Sequence, residues 1–153
     1  MSGNILNKKI NDQIEELYED SFHLSQYFPE DSNETITLAA GGTNNTFGAW
    51  AEIVDNNAVT FSSKLVACSA HISNVIIENA SVKDKIYILE ISYGTAKTIV
   101  LRDRVLSATT LLSTVQQGRR KSLGILGGET VYYRLKCETA GATLQVSLRY
   151  HCH

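Results

Sequence analysis

The sequence has little of several features that mark particular protein classes. Its 153 residues include one proline and three cysteines, Cys68, Cys137 and Cys152. The cysteines are odd in number and lack Cys-x-x-Cys spacing, so they predict neither a disulfide framework nor a zinc site and favour a reducing compartment. No apolar run reaches the roughly 18 to 20 residues of a membrane span, and the polar, acidic start is unlike a secretory signal. We therefore expect neither a membrane protein nor one exported by a classical signal.

Short motifs that accompany common catalytic sites are also missing. The sequence contains no Gly-x-Ser-x-Gly elbow, P-loop, Gly-x-Gly-x-x-Gly or His-Glu-x-x-His. Strand glutamates such as Glu52, Glu90 and Glu138 leave paired-carboxylate hydrolysis of glycosides open as an alternative. Exposed strand glutamates are more often solvated partners of lysine or arginine. We therefore expect a protein that is not an enzyme and has no cofactor.

Charge is divided unevenly along the chain. Residues 1–34 carry eight acids and two lysines, a net charge of -6, whereas residues 35–153 carry eight acids and twelve bases, a net charge of +4. The second value falls short of the strongly basic character typical of nucleic-acid binding, so we expect no nucleic-acid partner. The two halves favour head-to-tail association of copies through complementary charge. A local basic cluster, Arg119, Arg120 and Lys121, is either a solvated loop or a contact for an acidic segment.

The first segment has the periodicity of an amphipathic helix. Its apolar residues recur at alternating steps of four and three, acids occupy the other positions, and Pro29 ends the pattern. A helix of about 20 residues is marginal alone, so its apolar stripe must pack on the chain's own sheet or on other copies. The stripe consists of Ile10, Ile14, Leu17, Leu24 and Phe28, with Tyr18 and Phe22 beside it. The candidate partner-binding residues are Ile10, Ile14, Leu17, Tyr18 and Phe22, with Arg119, Arg120 and Lys121 as a second set.

After Pro29 the apolar period changes from 3.6 to 2, which predicts an all-β domain. The sequence thus divides into an N-terminal α-helical arm, residues 1–33, and a β-sandwich domain, residues 34–153. The sandwich is antiparallel and either jelly-roll-like or immunoglobulin-like, with a small closed barrel as the alternative. With one proline to guard sheet edges, we expect the arm or neighbouring copies to cover them. Strands are predicted at 34–38, 47–54, 59–61, 65–78, 85–93, 97–106, 129–137 and 142–152.

Three of these strands have face assignments. In the strand at 85–93, Tyr87, Leu89, Ile91 and Tyr93 alternate with Ile86, Ile88, Glu90 and Ser92 on the other face. In the last strand, Leu144, Val146, Leu148, Tyr150 and Cys152 share the core face. In the strand at 65–78, one face has Ala70, Ile72, Asn74 and Ile76, and the other has His71, Ser73, Val75 and Ile77.

Histidines and aromatic residues suggest two kinds of ligand. His151 and His153 share a strand face and could bind a metal with His71 or Glu138, although two ligands rarely suffice and a polar chain end is the simpler interpretation. We therefore predict no metal site. Trp50 and seven tyrosines would suit carbohydrate binding. Most tyrosines follow the core phase, however, so few rings face outward: Tyr87, Tyr93 and Tyr150 are assigned to the core, and of Tyr132 and Tyr133 one faces out.

Four stretches, residues 46–55, 71–78, 85–94 and 128–143, are similar to the β-sandwich virion proteins of tailed bacteriophages. Thr46-Phe-Gly-Ala-Trp-Ala-Glu-Ile-Val-Asp55 and Lys85-Ile-Tyr-Ile-Leu-Glu-Ile-Ser-Tyr-Gly94 show the pattern, which covers residues 46–150. The chain most resembles capsid decoration, or cement, proteins and head-fibre proteins. The resemblance implies a homo-oligomer, namely a trimer, that is made in the host cytoplasm, lies on the virion capsid surface and binds the major capsid protein or another virion protein. The alternative is a carbohydrate- or host-surface-binding module of a phage tail or head fibre.

Overall fold

The computed structural model describes residues 24–107 and 121–153, which form two antiparallel sheets. The predicted all-β class is therefore confirmed. No helix in these ranges is long and apolar enough to cross a membrane. The described elements are β1 (Gln26–Phe28), β2 (Ile36–Ala39), β3 (Ala51–Glu52), a 3-10 helix (Phe61–Leu65), β4 (Ala70–Ala80), β5 (Ile86–Tyr93), β6 (Thr98–Leu106), β7 (Val131–Cys137) and β8 (Thr143–Cys152).

The first sheet, sheet A, is built around β8. Strand β4 pairs with β8 along nearly its whole length, while β1 and β2 pair in succession with residues 148–150 and 143–146 on its other side. The second sheet, sheet B, has the strand order β3-β7-β5-β6. Its central strands β5 and β7 are paired on both sides, and the pairing of β5 with β6 has one register shift, between Ile91 and Ser92.

Buried side chains from both sheets form one hydrophobic cluster. Period-2 alternation explains how β8 contributes to it, since Leu144, Val146, Leu148 and Tyr150 are at most 1% exposed while the residues between them are partly exposed. Phe61 of the 3-10 helix contacts the Phe28 and Tyr150 rings at centroid distances of 5.3 and 5.1 Å. The core-face prediction for these four β8 residues is thus confirmed.

The helical interpretation of the first segment is wrong at its end. Gln26–Phe28 is strand β1, with Phe28 opposite Leu148, and the Phe28 side chain is fully buried in the cluster. Leu24, assigned to the same helical stripe, is 86% exposed. Backbone pairing with β8 and burial of one large ring outweigh the weak helical preference of so short a stretch. Residues 1–23, and with them most of the predicted arm, lie outside the described ranges.

A β-bulge in β4 changes the predicted face assignment. The pairing register with β8 shifts between Ile72 and Asn74, so that Asn74 lies opposite Arg149 and Val75 opposite Leu148. One extra residue, Ser73, reverses the alternation, because two residues of a bulged strand oppose one on its partner. Asn74 therefore lies on the outer side of sheet A with Arg149. The unbroken pattern had predicted that Asn74 shares a face with Ile72.

The chain itself bridges one edge between the two sheets. The backbone N–H of Ser122 donates to the Ile72 carbonyl of β4, and the next N–H, that of Leu123, donates to the Val100 carbonyl of β6. Ile125 also pairs with Ala70 in both hydrogen-bonding directions. Residues 122–125 thus cover part of this edge and protect its backbone groups from pairing with another chain.

The loop before β3 is longer than predicted. Of the strand expected at 47–54, only Ala51–Glu52 pairs in the sheet. The preceding residues turn back on β7 because the backbone N–H groups of Gly41 and Gly48 both donate to the Leu135 carbonyl. Gly41 permits this close approach, since an added Cβ would clash with the Thr46 carbonyl oxygen. The turn places Phe47 and Trp50 beside β7.

Cys68 and Cys152 form a disulfide across 84 residues of sequence, with Cα atoms 5.6 Å apart. This corrects the expectation that the cysteines would stay reduced. The odd number of cysteines and their irregular spacing gave no sign of this pair. Cys68 lies in the loop before β4 and Cys152 at the end of β8, and the pairing of β4 with β8 brings the two residues together. Cys137 is a buried thiol.

Candidate functional site: a basic and aromatic face

The outer side of sheet B, turned away from the hydrophobic cluster, carries the most organised set of polar side chains. On β5, the buried Tyr87, Leu89 and Ile91 face the cluster, so Glu90 faces outward at the centre of the sheet. The pairing register places Arg102 of β6 opposite Glu90 on one side and Arg134 of β7 opposite it on the other. The strand register alone therefore aligns a cation, an anion and a cation across three strands.

Glu90 accepts four hydrogen bonds from these arginines. Its Oε2 accepts from Arg102 Nε at 3.1 Å and Nη2 at 2.8 Å, and its Oε1 accepts from Arg134 Nε at 3.0 Å and Nη2 at 2.8 Å. The carboxylate side chain is 2% exposed, whereas the Arg102 side chain is 67% and the Arg134 side chain 30% exposed. Charge-assisted pairs of this geometry are strong and directional, so Glu90 fixes both guanidinium groups in place.

The ionisation of Glu90 follows from two opposing effects. Burial removes water from the carboxylate and by itself would raise the pKa. Hydrogen bonds from Arg102 and Arg134, together with their positive charges, outweigh the burial and lower the pKa of Glu90 below its ordinary value. Glu90 is therefore ionised at neutral pH and serves as an anchor for the arginines, not as a proton donor.

Aromatic rings surround the anchored arginine. The Arg134 guanidinium carbon lies 4.4 Å from the centre of the Phe47 ring and 4.5 Å from that of Trp50. Nearby, Lys136 Nζ lies 4.8 Å from the Phe47 ring centre and Lys97 Nζ lies 3.6 Å from that of Tyr132. These distances are within the range of cation–π attraction. We call the set the basic–aromatic face: Phe47, Trp50, Lys97, Arg102, Tyr132, Arg134 and Lys136.

The chemical capacity of the basic–aromatic face is recognition of an acidic surface. Of its four cations, Arg102 and Arg134 pair with Glu90, whereas Lys97 and Lys136 lie over aromatic rings. Arginine and aromatic side chains are enriched at the centres of protein interfaces, where they combine charge with a flat apolar area. Four of its seven residues lie on strands, so the sheet itself fixes the position of most of the face.

The residues predicted from sequence to bind partners do not form this face. Ile10, Ile14, Leu17, Tyr18, Phe22, Arg119 and Arg120 lie outside the described residues. Lys121 is described and exposed, but lies on the opposite side of the molecule, in a cavity with Ser73, Asn74, Arg149 and His151.

The aromatic residues were predicted more accurately. Tyr87 and Tyr150 are in the core, and burial raises the pKa of both hydroxyls. Tyr93 is partly buried against the same cluster. Tyr133 is buried, with its hydroxyl accepting from the Ala39 N–H at 3.1 Å, and Tyr132 faces outward. The prediction that one of the adjacent pair faces out is confirmed.

Sequence reasoning missed the arrangement around Glu90. A carboxylate in the middle of the apolar run Ile86–Tyr93 was the available signal, because such a residue needs a charged partner when its strand is central. The partners, twelve and 44 residues away, become neighbours only through the strand order β7-β5-β6.

Three histidines gather at the end of sheet A. His71 lies opposite His151, its ring stacks on those of His151 and His153 at 5.1 and 4.7 Å, and His71 Nδ1 and His153 Nε2 share a hydrogen bond of 2.5 Å. Glu138, the other suggested ligand, accepts the Ile86 N–H on sheet B. Within residues 24–107 and 121–153, no group of three or more His, Cys, Asp or Glu is arranged to hold a metal ion.

Comparisons with known proteins add no relative. A scan against protein-family models and searches of curated proteins and of solved structures returned no significant match.

Proposed function

We propose that this chain is a non-enzymatic structural protein that assembles as a homo-oligomer and attaches to a larger protein assembly. The observation that carries the proposal is the anchored row of Arg102, Glu90 and Arg134 beside Phe47 and Trp50. A row held by four hydrogen bonds loses little side-chain freedom when a partner binds. Such preorganisation suits a permanent docking surface.

The partner that best fits the basic–aromatic face is an acidic segment, and the chain contains one. Residues 1–23, the part of the acidic segment that precedes β1, carry five acids and two lysines, a net charge of -3, and include apolar residues that suit Phe47 and Trp50. In the proposed assembly, this segment of one copy docks on the basic–aromatic face of the next, through Ile10, Ile14, Leu17, Tyr18 and Phe22. Arg119, Arg120 and Lys121 form a weaker second contact.

The resemblance to phage virion proteins extends the proposal to a location. Two antiparallel sheets around one core are compatible with a β-sandwich of jelly-roll-like or immunoglobulin-like connection, as in capsid decoration proteins. On this basis the oligomer is a trimer on the surface of a capsid, with the major capsid protein or another virion protein as its partner, and is made in the host cytoplasm. Retention of the protein on capsids after repeated sedimentation tests this location.

A carbohydrate-binding module is the second candidate, and one observation favours it. Phe47, Trp50 and Tyr132 lie on one side of sheet B, where rings can stack on sugars. Each of these rings already has at least one cation over it, so a sugar would have to stack on a ring face that no cation covers. Saturable binding of a neutral oligosaccharide that Trp50→Ala abolishes would favour this candidate.

The oligomer mass separates the two candidates. The full chain is compared by sedimentation with a chain that begins at Leu24, which keeps β1 and its core residue Phe28. We expect the full chain to be oligomeric at about 50 mM salt and to dissociate at about 500 mM, because screening weakens exposed charge pairs. The chain that begins at Leu24 should be monomeric in both.

Two charge reversals locate the contact. Lys136→Glu changes the basic–aromatic face and should dissociate the oligomer, while Lys83→Glu, in the loop between β4 and β5, should leave it intact. A full chain that stays monomeric at all concentrations, or equal masses for the two variants, would refute the proposal.

A further inference from the structure

A second site lies on the outer side of sheet A, away from the basic–aromatic face. It is a cavity of about 260 Å³ lined by Ser73, Asn74, Lys121, Arg149 and His151, which we call the sheet A pocket. The bulge at Ser73 creates it, because the register shift brings Asn74 directly opposite Arg149. Ser73 Oγ donates to the Arg149 carbonyl at 3.2 Å and so holds the bulged residue against β8.

Two residues that line this pocket each have a buried polar atom with no hydrogen-bond partner among residues 24–107 and 121–153. Asn74 is 8% exposed, yet its Oδ1 accepts no hydrogen bond from these residues, and the buried Nε of Arg149 donates none to them. Buried polar groups are almost always paired in folded proteins, so an unpaired acceptor and an unpaired charged donor in one cavity call for a ligand. The two atoms also define what the ligand must carry, namely an acceptor for Arg149 and a donor for Asn74.

Charge narrows the class of ligand. Arg149 is a permanent cation and Lys121 adds a second positive charge at the same cavity, so the acceptor is an oxyanion. Asn74 Oδ1 would repel an oxyanion that has no hydrogen to donate, whereas it would bind a hydroxyl group. The volume suits a small ion or one sugar unit, since typical ligand pockets begin at about 300 Å³.

We propose that the sheet A pocket binds a small oxyanion that also carries a hydroxyl group. The Arg149 Nε–H donates to the charged oxygen, Lys121 neutralises it, and Asn74 Oδ1 accepts the hydroxyl hydrogen. Hydrogen phosphate and the carboxylate of an acidic sugar both have this chemistry. The site is separate from the basic–aromatic face, because all five of its residues lie outside that face, although Lys121 also belongs to the proposed weaker second contact.

Calorimetric titration of the full chain at pH 7 and constant ionic strength tests the proposal with four probes. Hydrogen phosphate and glucuronate carry both groups, sulfate lacks the hydroxyl, and glucose lacks the charge. We expect one saturable site for hydrogen phosphate, glucuronate or both, and at least a tenfold weaker affinity for sulfate and glucose. Binding of phosphate alone identifies a free ion as the ligand, and binding of glucuronate alone identifies an acidic glycan.

Variants assign the binding to the pocket. Arg149→Gln and Asn74→Leu should each weaken binding about tenfold or more, and the exposed Lys121→Gln, which cannot disturb the core, should weaken it severalfold. Arg104→Gln, an exposed arginine on β6, is the matched control and should bind as the original protein does. No saturable binding, equal affinity for sulfate and hydrogen phosphate, or full affinity in both Arg149→Gln and Lys121→Gln would overturn the proposal.

Discussion

Replacing Glu90 with glutamine removes the anion that aligns the basic–aromatic face while keeping the size of the side chain. Hydrogen bonds to charged groups contribute about 1.5 to 3 kcal/mol when buried. Arg134, 30% exposed, loses most of that contribution, whereas Arg102, 67% exposed, recovers water and loses about 0.5 kcal/mol. The glutamine NH₂ group also faces a guanidinium. We therefore expect Glu90→Gln to lower the free energy of unfolding by about 3 kcal/mol at pH 7.

The loss should depend on pH in a defined direction. The arginines lower the pKa of Glu90 in the folded protein below the 4.5 of an unperturbed carboxyl. A lowered folded pKa means that the stabilisation is complete above the unfolded pKa and disappears as the pH falls through the folded pKa. The stability difference between the original protein and Glu90→Gln should therefore be constant from pH 7 to about 5.5 and shrink at pH values below 4.5.

Urea unfolding followed by the fluorescence of Trp50, the one tryptophan, measures these differences close to the altered site. Two single variants serve as internal controls. Arg134→Gln should cost about 2 kcal/mol and Arg102→Gln under 1 kcal/mol, because only the first partner is substantially buried. Equal losses in the two arginine variants, or a Glu90→Gln deficit that is the same at pH 3.5 and pH 7, would refute the account of Glu90 as a buried anchor.

Further predictions concern stability in other parts of the fold. Phe28→Ala should lower the free energy of unfolding by about 3 to 5 kcal/mol because it empties a core position, whereas Leu24→Ala should leave it unchanged. Similar losses in the two variants would instead support a helix whose apolar stripe contains both residues. Reduction of Cys68–Cys152 should lower it by about 4.5 kcal/mol from loop entropy, measured as the change in urea midpoint with reductant, and equal midpoints would contradict the pairing. Asn74→Leu should be neutral or stabilising by about 1 kcal/mol because Oδ1 has no partner, whereas Ser122→Ala should lose about 1 kcal/mol because Ser122 Oγ accepts the Ile72 N–H.

The part of the fold predicted best from sequence is the part with unbroken alternation. In β8 each residue follows the period of 2, so the core face could be read directly. In β4 a bulge at Ser73 reverses the phase, and nothing in the amino-acid types between Ile72 and Val75 reveals which residue will be unpaired. The three residues of β1 are too few to distinguish a helical from an extended period. The strand conformation of Phe28 therefore could not be predicted locally, because it results from pairing with β8.

The candidate sites depended still more on strand order. Alternation predicted that one of Tyr132 and Tyr133 faces outward, because neighbouring residues on a strand point to opposite sides, and the structure shows that it is Tyr132. The row of Arg102, Glu90 and Arg134 needs the pairing of β5 with both β6 and β7, and the cysteine pair needs β4 beside β8. Both are properties of topology, which local sequence patterns do not specify.

The two proposed sites differ in how their charges are satisfied, and this difference predicts how each responds to a partner. In the basic–aromatic face, Glu90 already satisfies Arg102 and Arg134, so a partner there gains by long-range attraction and by contact with rings, and its binding should weaken with salt. In the sheet A pocket, Arg149 Nε and Asn74 Oδ1 are buried and have no partner among the described residues, so a ligand gains by direct hydrogen bonds that salt screens little. Oligomerisation and oxyanion binding should therefore separate in one salt titration, the first lost and the second retained.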